Sequence, residues 1–475
     1  MRKLHVGCSI LALALFAGCA VGPDYHRPAA PALEVYGGRD LVAANDEQVN
    51  TQWWRLFGDE LLNDLVATAL DANQDIKAAD ARLREARANR RGAIFDFAPT
   101  LQGKASGSSV RQSRSEPGLP VGIPIAREYD LYDASFDAQW ELDLFGRVRR
   151  ENQAARATSQ AAVAARNGVR LSAVAEVARN YFELRGAQNQ LAVARRNGAN
   201  QQHALELVQS RMDAGRGTQL DTSRAVAEVE TTLASIPPLE ATVARAMHRI
   251  EVLTRATPGA LVARLQTEAP MPPLPTGIAL GRPADLLRRR PDIRNAERLL
   301  AASSASVGVA MGDLFPRVTL NGSIGLQALS FGALGDAGND QRSFGPSLTW
   351  GLFDYGHLRQ QIKAAGARND AQLANYEQTV LLALEETENA LSDYGRERRR
   401  LEHLQRAADA SVQAADLATQ RFEGGIADFL TALDAYRTAL EAEDLLASSQ
   451  TKAATSLIAL YKALGGGWED PAATR

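Results

Sequence analysis

The amino-acid sequence predicts a mostly α-helical protein with a small membrane β-sheet, built from two copies of one unit. Two long segments without proline, from Arg147 to Asp213 and from His357 to Phe422, predict very long helices. Before each of them lie short segments in which apolar and polar residues alternate, as they do in a two-faced strand. Residues of the first half also recur in order in the second half. Together these observations predict strands joined to long antiparallel helices, in duplicate.

The N-terminus has the pattern of a secretory signal peptide over residues 1–18. Two basic residues open it, a short apolar run follows, and small residues precede Cys19. Cleavage before Cys19 and acylation of its thiol and amine would make a bacterial lipoprotein, and Ala20 favours sorting to the outer membrane. The alternative is an ordinary cleaved signal with an incidental Cys19, since Phe16 stands where lipoprotein signals usually carry leucine.

The bulk composition limits the classes of function. Of the 475 residues 45% are hydrophobic, and 53 Lys and Arg nearly balance 56 Asp and Glu, so the charge does not suggest a nucleic-acid partner. Loss of the signal peptide leaves Cys19 as the one cysteine, so no disulfide is possible within the mature chain. Beyond residue 20 no run of apolar residues is long enough for a transmembrane helix, so any membrane-spanning part must be a β-barrel.

The repetition holds at constant separations. The following residues recur 217 residues later: Asp75, Ile76, Ala79, Leu83 and Pro99. The following recur 210 residues later: Trp140, Gly146, Arg149, Glu176, Arg211, Gly215 and Leu220. The separation changes across a polar, Gly- and Pro-rich loop at 112–127. We therefore expect these segments: an N-terminal segment 19–60, a first repeat 61–257, a Pro-rich link 258–283, a second repeat 284–464 and a tail 465–475.

Each repeat is expected to contain a helix, two strands, a very long helix, a turn and a second helix. The strands are expected at about 99–111, 129–144, 316–329 and 342–353, and the turns near 215 and 425. Each strand has about the 9–11 residues that a tilted strand needs to cross a bilayer. A soluble sandwich is the alternative, but two distant pairs of strands make a poor one. Because four strands cannot close a barrel, the chain must oligomerise, with eight strands from two copies or twelve from three.

The helices indicate what the strands are attached to. At 1.5 Å per residue each proline-free run would be roughly 100 Å long, which suits the crossing of a periplasm. One seam with spacings of three and four residues is marked by Leu171, Val174, Ala178, Tyr181, Leu184 and Leu191. A coiled-coil stalk is the alternative for this pattern alone.

The joint between strand and helix carries a glycine in both repeats. QWELDLFGR (139–147) alternates up to Leu144 and then passes through Gly146 into an Ala-rich run. TWGLFDYGH (349–357) repeats the pattern with Gly356. We expect each glycine to relieve the bend between a strand with two different faces and a helix with neighbours on both flanks.

Several motifs resemble those of the outer membrane efflux protein family. They are CAVGPDYHRP (19–28), WWRLFGDELLNDLVATAL (53–70), the WELDLFGR turn, RFEGGIADFLTALDAYR (421–437) and LYKALGGGW (460–468). Within the family the chain resembles the lipoprotein branch that works with resistance-nodulation-division pumps. The resemblance extends over nearly the whole mature chain.

The resemblance implies a trimeric, TolC-like channel. Each protomer would give four strands to a twelve-stranded β-barrel in the outer membrane and its helices to a tapering periplasmic α-barrel. An equatorial region would be formed near the N-terminus, the Pro-rich link and the C-terminus. The duct would be passive and would receive small molecules from an inner-membrane pump through a periplasmic adaptor protein.

The resemblance also implies residues for a periplasmic gate near the second turn. By position these are Phe422, Leu430 and Asp434, with Asp428 as a further candidate. Three copies of Asp434 would form an acidic ring that repels anions and attracts cations. The alternative is that Asp434 is a solvated helix residue and that Leu430 packs between helices. The first repeat has Met212 and Arg224 at the aromatic and acidic positions, and Arg224 is expected to pair with a neighbouring carboxylate.

The turns near Gly215, Thr218 and Gly425 would form the periplasmic tip and meet the adaptor, again by resemblance. The alternative is simple helix-hairpin chemistry, in which glycine supplies a positive φ. We expect no catalytic residues, metal site or cofactor apart from the covalent lipid on Cys19, because no catalytic motif or metal-ligand spacing is present. Two other functions stay open: an export duct of a type I protein secretion system and a structural stalk or adhesin.

Overall fold

The structure is a computed structural model that describes residues 20–29, 35–45, 47, 49–111 and 128–468. The signal peptide, Cys19 and the expected loop at 112–127 therefore lie outside the described residues. The strands are β1 (Ala44–Asn45), β2 (Thr100–Arg111), β3 (Glu128–Leu142), β4 (Ile278–Ala279), β5 (Arg317–Ala328) and β6 (Asp340–Thr349). The helices are α1 (Glu60–Ala72), α2 (Gln74–Phe95), α3 (Arg147–Asp213), α4 (Gln219–Thr254), α5 (Val262–Leu265), α6 (Pro283–Arg289), α7 (Pro291–Gly312), α8 (Tyr355–Glu423) and α9 (Phe429–Ala463).

The first of two compact units contains residues 20–28, Leu83–Ala162 and Ala296–Tyr376, apart from the loop that is not described. Its centre is a four-stranded antiparallel sheet in the order β2-β3-β5-β6. The central pair, β3 and β5, joins the two repeats, with Phe136 opposite Ile324. Because this register is fixed along both strands, all even-numbered residues of the paired segments share one face of the sheet.

The joints between strand and helix differ in the two repeats. Strand β3 ends at Leu142, and the carboxylate of Asp143 accepts hydrogen bonds from the backbone N–H groups of Val148 (2.9 Å) and Arg149 (3.0 Å) at the start of α3. Gly146 has a φ of 80°, so the prediction that it relieves the bend is confirmed. The same prediction for Gly356 is wrong: Gly356 lies inside α8, because a short 3-10 turn changes the chain direction before it.

The second unit contains the described residues of Ala29–Arg82, Val163–Asn295 and Glu377–Arg475. Trp53 lies at its core, stacks on Tyr461 with ring centroids 5.2 Å apart, and donates its indole N–H to the carbonyl of Gly466 at 3.0 Å. The predicted seam of α3 is confirmed, since all six of its residues are buried in this unit. Arg185 on α3 donates to the carbonyl of Thr267 at 2.6 Å, and so holds the Pro-rich link against the long helix.

Among the described residues, no helix is both long enough and apolar enough to cross a membrane.

Candidate functional sites

The four-stranded sheet has one apolar face and one polar face. Large apolar side chains on the even-numbered face are exposed, with Phe136 at 69% and Phe344 at 82% of their full accessible area. Ile324 and Leu348 lie on the same face and are also exposed. A contiguous apolar surface of this kind is normally covered by lipid or by another protein.

The opposite face, formed by the odd-numbered residues of β3, β5 and β6 and the even-numbered residues of β2, carries a polar network. Asp137 accepts a hydrogen bond from the hydroxyl of Ser323 (2.7 Å) and forms an ion pair with Lys104 (2.6 Å). Gln341 donates to Asp133 at 2.6 Å. These groups come from all four strands, so the polar face is continuous across the sheet and is suited to contact with water.

The two helical turns in the second unit have the same backbone geometry. The N–H of Gly215 donates to the carbonyl of Met212 at 2.9 Å, and the N–H of Gly425 donates to the carbonyl of Phe422 at 2.9 Å. Their φ angles are 69° and 73°, a region that glycine enters without steric cost. The helix-hairpin interpretation of both turns is therefore confirmed. We refer to the turn at residues 214–218 as the first tip and to the turn at residues 424–428 as the second tip.

The last residue of each tip caps the next helix. Thr218 precedes α4: its hydroxyl accepts a hydrogen bond from the N–H of Asp221, and its own N–H donates to the Asp221 carboxylate, which makes a capping box. Asp428 precedes α9 and accepts hydrogen bonds from the hydroxyl (2.6 Å) and the N–H (2.9 Å) of Thr431. These bonds stabilise the carboxylate and hold the pKa of Asp428 below its usual value. Both side chains therefore have a local structural role.

A small apolar cluster joins the helices at the two tips. Its buried members are Val208, Ala225, Phe422, Phe429, Ala432 and Leu433. The rings of Phe422 and Phe429 lie 5.5 Å apart between centroids, and the guanidinium of Arg211 lies 4.0 Å from the centroid of Phe422. Arg211 also donates to the carbonyls of Phe422 (2.7 Å) and Glu423 (3.2 Å). The first-repeat and second-repeat helices are therefore bound together at this point.

Comparison with known proteins identifies the family. The family model for outer membrane efflux proteins matches residues 65–254 and 283–466. The chain belongs to the outer membrane efflux protein family. It is 34% identical to the outer membrane protein OprJ of Pseudomonas aeruginosa, over 99% of this chain and 98% of that protein. It is 30% identical to the solvent efflux pump outer membrane protein SrpC of Pseudomonas putida, over 97% of each chain.

The solved structure of the outer-membrane channel OprN is also similar. It superposes with a TM-score of 0.88 and 41% sequence identity, covering 95% of this chain and all of that one. The predicted fold class is therefore confirmed: long antiparallel helices joined to a small membrane sheet in a duplicated chain. As a member of this family, the protein is the outer-membrane channel component of an efflux system, and its family is one of channels rather than of known enzymes.

The residues expected at an efflux-protein gate occupy different environments in the chain. Leu430 is 49% exposed, and Asp434 and Arg224 are also exposed on α9 and α4. Phe422 is only 6% exposed and packs in the tip cluster. Within the chain its ring thus binds helices together, because the aromatic position faces the seam between α3 and α8. Asp428 is used as a helix cap.

Two buried arginines have roles that sequence reasoning missed. Arg150 donates to the carbonyls of Val21 (3.0 Å) and Gly22 (2.9 Å) and so fixes the segment after the signal peptide on the start of α3. Arg290 donates to the carbonyl of Ala463 (2.9 Å) and to the carboxylate of Glu386 (2.6 Å). Neither arginine lies in a motif that distinguishes it from exposed arginines nearby. Among the described residues no cluster of His, Cys, Asp or Glu side chains is arranged to hold a metal ion.

Proposed function

We propose that three copies of this chain form a passive duct that carries drugs or other small molecules to the cell exterior. The two-faced sheet is the observation that carries this proposal. Its exposed apolar face suits lipid and its continuous polar face suits a water-filled lumen. Strands β2 and β6 are the two edges of the sheet. Pairing of β6 with β2 of the next copy would satisfy both edges, and three copies would close a barrel of twelve strands.

The duct would work with a periplasmic adaptor protein and an inner-membrane efflux pump. The name of the relative SrpC, a solvent efflux pump outer membrane protein, supports small-molecule cargo and a pump as partner. The exposed first and second tips, including Gly215, Thr218 and Gly425, are the surface we assign to the adaptor. Thr218 and the two glycines would act there mainly by shaping the backbone, since they cap helices and supply positive φ.

The chain would be anchored in the outer membrane by a lipid on Cys19 and would need no other cofactor. The neighbouring segment supports this anchor. The N–H of Val21 donates to the carbonyl of Phe145 at 3.0 Å, next to the end of β3, and Arg150 holds the same segment from the other side. Acyl chains on Cys19 would thus enter the bilayer close to the edge of the membrane sheet. Mass spectrometry of the N-terminal peptide should show the acyl mass, and Cys19→Ser should remove it; an unmodified Cys19 would contradict the anchor.

The periplasmic end of the duct would be narrowed by Leu430 and Asp434. Both side chains are exposed in the single chain and lie one turn apart on α9. Three copies of Asp434 around one axis would favour cations over anions. Replacement of Asp434 by asparagine should lower the cation-to-anion permeability ratio, and replacement by alanine should also raise the resting conductance. The matched control is Asp409→Asn, an exposed carboxylate on α8. Equal selectivity in the Asp434 and Asp409 variants would exclude the acidic ring.

Single-channel recording tests the proposed function directly. Purified full-length protein should behave as a trimer in native mass spectrometry and should conduct ions in a planar bilayer. A structural stalk or adhesin, the main alternative from another class, would give no conductance. A type I protein export duct would conduct ions as well, but deletion of the gene would then block secretion of a protein and leave drug susceptibility unchanged. Loss of drug resistance on deletion would favour efflux.

A further inference from the structure

Arg211 forms a clamp on the end of a neighbouring helix inside the chain. Its guanidinium donates to the last two carbonyls of α8, those of Phe422 and Glu423, and stacks on the Phe422 ring. A cation at this position satisfies carbonyls that have no partner within the helix and interacts favourably with the helix dipole. The contact joins the first-repeat hairpin, α3 and α4, to the second-repeat hairpin, α8 and α9.

The duplication places a second copy of this clamp on the chain. Arg421 is the residue that corresponds to Arg211, and Met212 and Asp213 correspond to Phe422 and Glu423. The two helix ends have matching backbone bonds, with the same 2.9 Å bond closing each tip. Arg421 is exposed in the chain. The donor and the acceptor of a second clamp, Arg421 and the end of α3, are therefore both present in each chain.

We infer that Arg421 binds the end of α3 of a second copy of this chain, donating to the main-chain carbonyls of Met212 and Asp213 there. This inference rests on the trimer proposed above. In a closed ring of three chains, first-repeat and second-repeat hairpins alternate. Each second-repeat hairpin then meets the first-repeat hairpin of its own chain on one side and that of the next chain on the other. A contact between the hairpins within one chain is therefore repeated between chains, with the repeats exchanged.

The two kinds of boundary differ in their apolar content. The boundary within the chain contains the buried side chains Val208, Ala225, Phe422, Phe429, Ala432 and Leu433. The corresponding residues at the boundary between chains are Ala418, Ala435, Met212, Gln219, Thr222 and Ser223. This second set contains no aromatic ring and includes three polar side chains, so hydrophobic packing there is much weaker. The Arg421 clamp therefore carries a larger share of the contact between chains.

Cysteine cross-linking tests this placement with a control that the duplication provides. The test pair is Arg421→Cys with Asp213→Cys, and the control pair is Arg211→Cys with Glu423→Cys. Full-length protein in outer membranes is treated with a short bis-maleimide and separated on a denaturing gel. The test pair should give linked dimers and trimers, whereas the control pair should give linked monomers of altered mobility. Each single-cysteine variant shows any background from Cys19.

Hydrogen exchange gives a second readout that does not depend on added thiols. Arg421→Gln should accelerate exchange roughly fivefold at the end of α3, the effect of losing one cation at a helix C-terminus. The control Arg406→Gln, at an exposed arginine of α8 that lies several turns before the helix end, should leave this exchange unchanged.

The outcomes separate the clamp from the assembly. A test pair that links only within monomers, while native mass spectrometry still shows trimers, overturns the clamp and leaves the proposed duct intact. Absence of trimers in the wild-type protein overturns the assembly and the clamp together. Linked trimers with faster exchange in Arg421→Gln support the inference.

Discussion

Truncation of Phe422 should loosen the tip, because its ring is a packing element of the chain. The side chain is 6% exposed, lies 5.5 Å from the ring of Phe429 and is covered by the guanidinium of Arg211 at 4.0 Å. Phe422→Ala would remove all of these contacts and leave a cavity between α3 and α8. The carbonyl contacts of Arg211 do not depend on the ring and would remain.

The size of the expected stability loss follows from the burial of the Phe422 ring. Truncation of a buried phenylalanine to alanine costs about 3–5 kcal/mol, and sites that can collapse fall at the lower end. The cluster lies at the ends of two helices, so we expect about 3 kcal/mol. Because every 1.4 kcal/mol is a factor of ten, local opening should become about 100-fold more frequent.

Hydrogen exchange measured by mass spectrometry provides the assay. Peptides over residues 205–225 and 418–435 should exchange about 100-fold faster in Phe422→Ala, and the rest of the protein should be unaffected. The control is Leu430→Ala in the first turn of α9, where the side chain is 49% exposed. It should leave exchange unchanged while raising the resting conductance. Our reasoning is refuted if Phe422→Ala raises conductance with exchange unaltered, because the ring would then line the passage.

Two further predictions concern helix packing and pH. A Cβ atom on Gly186 would lie 1.9 Å from Oγ1 of Thr451, so Gly186→Ala should destabilise the second unit by about 1–3 kcal/mol. Adding Thr451→Ala should recover part of this lost stability in thermal unfolding. If the losses of the two substitutions simply add, the predicted clash is contradicted. Hydrogen bonds from Thr431 lower the pKa of Asp428. The cap therefore stabilises α9 fully at pH values above the ordinary carboxyl pKa, and this stabilisation is lost as the pH falls through the lowered pKa. Relative to the rate of an unprotected amide at the same pH, exchange of the first turn of α9 should rise in acid in the wild type but stay level in Asp428→Asn, which caps without titrating.

The parts of the fold that the sequence predicted are those with a single simple period. In β3 and β5, Phe136 and Ile324 alternate with Asp137 and Ser323, and the register of the sheet places each pair on its expected face. The seam of α3 was equally clear, because spacings of three and four residues leave one buried face. The fold class followed from these two patterns and from the duplication.

The environment of individual residues at the tip was harder to predict. Phe422 lies on a helix that has neighbours on two sides, and helical spacing alone does not say whether an aromatic side chain faces a neighbour or a lumen. Glu386 likewise gave no signal, since its partner Arg290 is distant in sequence and becomes adjacent only in the fold. Gly356 was misplaced because a 3-10 turn can replace the positive φ of a glycine.

The two repeats keep the same contacts at the sheet and differ in their side chains at the tips. At the sheet both repeats keep the same bond: the indole N–H of Trp140 donates to the carbonyl of Phe97 at 2.9 Å, and that of Trp350 donates to Leu314 at 3.0 Å. Each strand pair must end in the same way whichever repeat it comes from. At the tips the backbone is again shared, but the first repeat has Met212 where the second repeat has Phe422. In the trimer proposed above, the apolar cluster within the chain and the less apolar residues at the corresponding boundary would make strong and weak boundaries alternate around the ring. Such alternation would let the ring open at its weak boundaries while the strong boundaries hold each chain together.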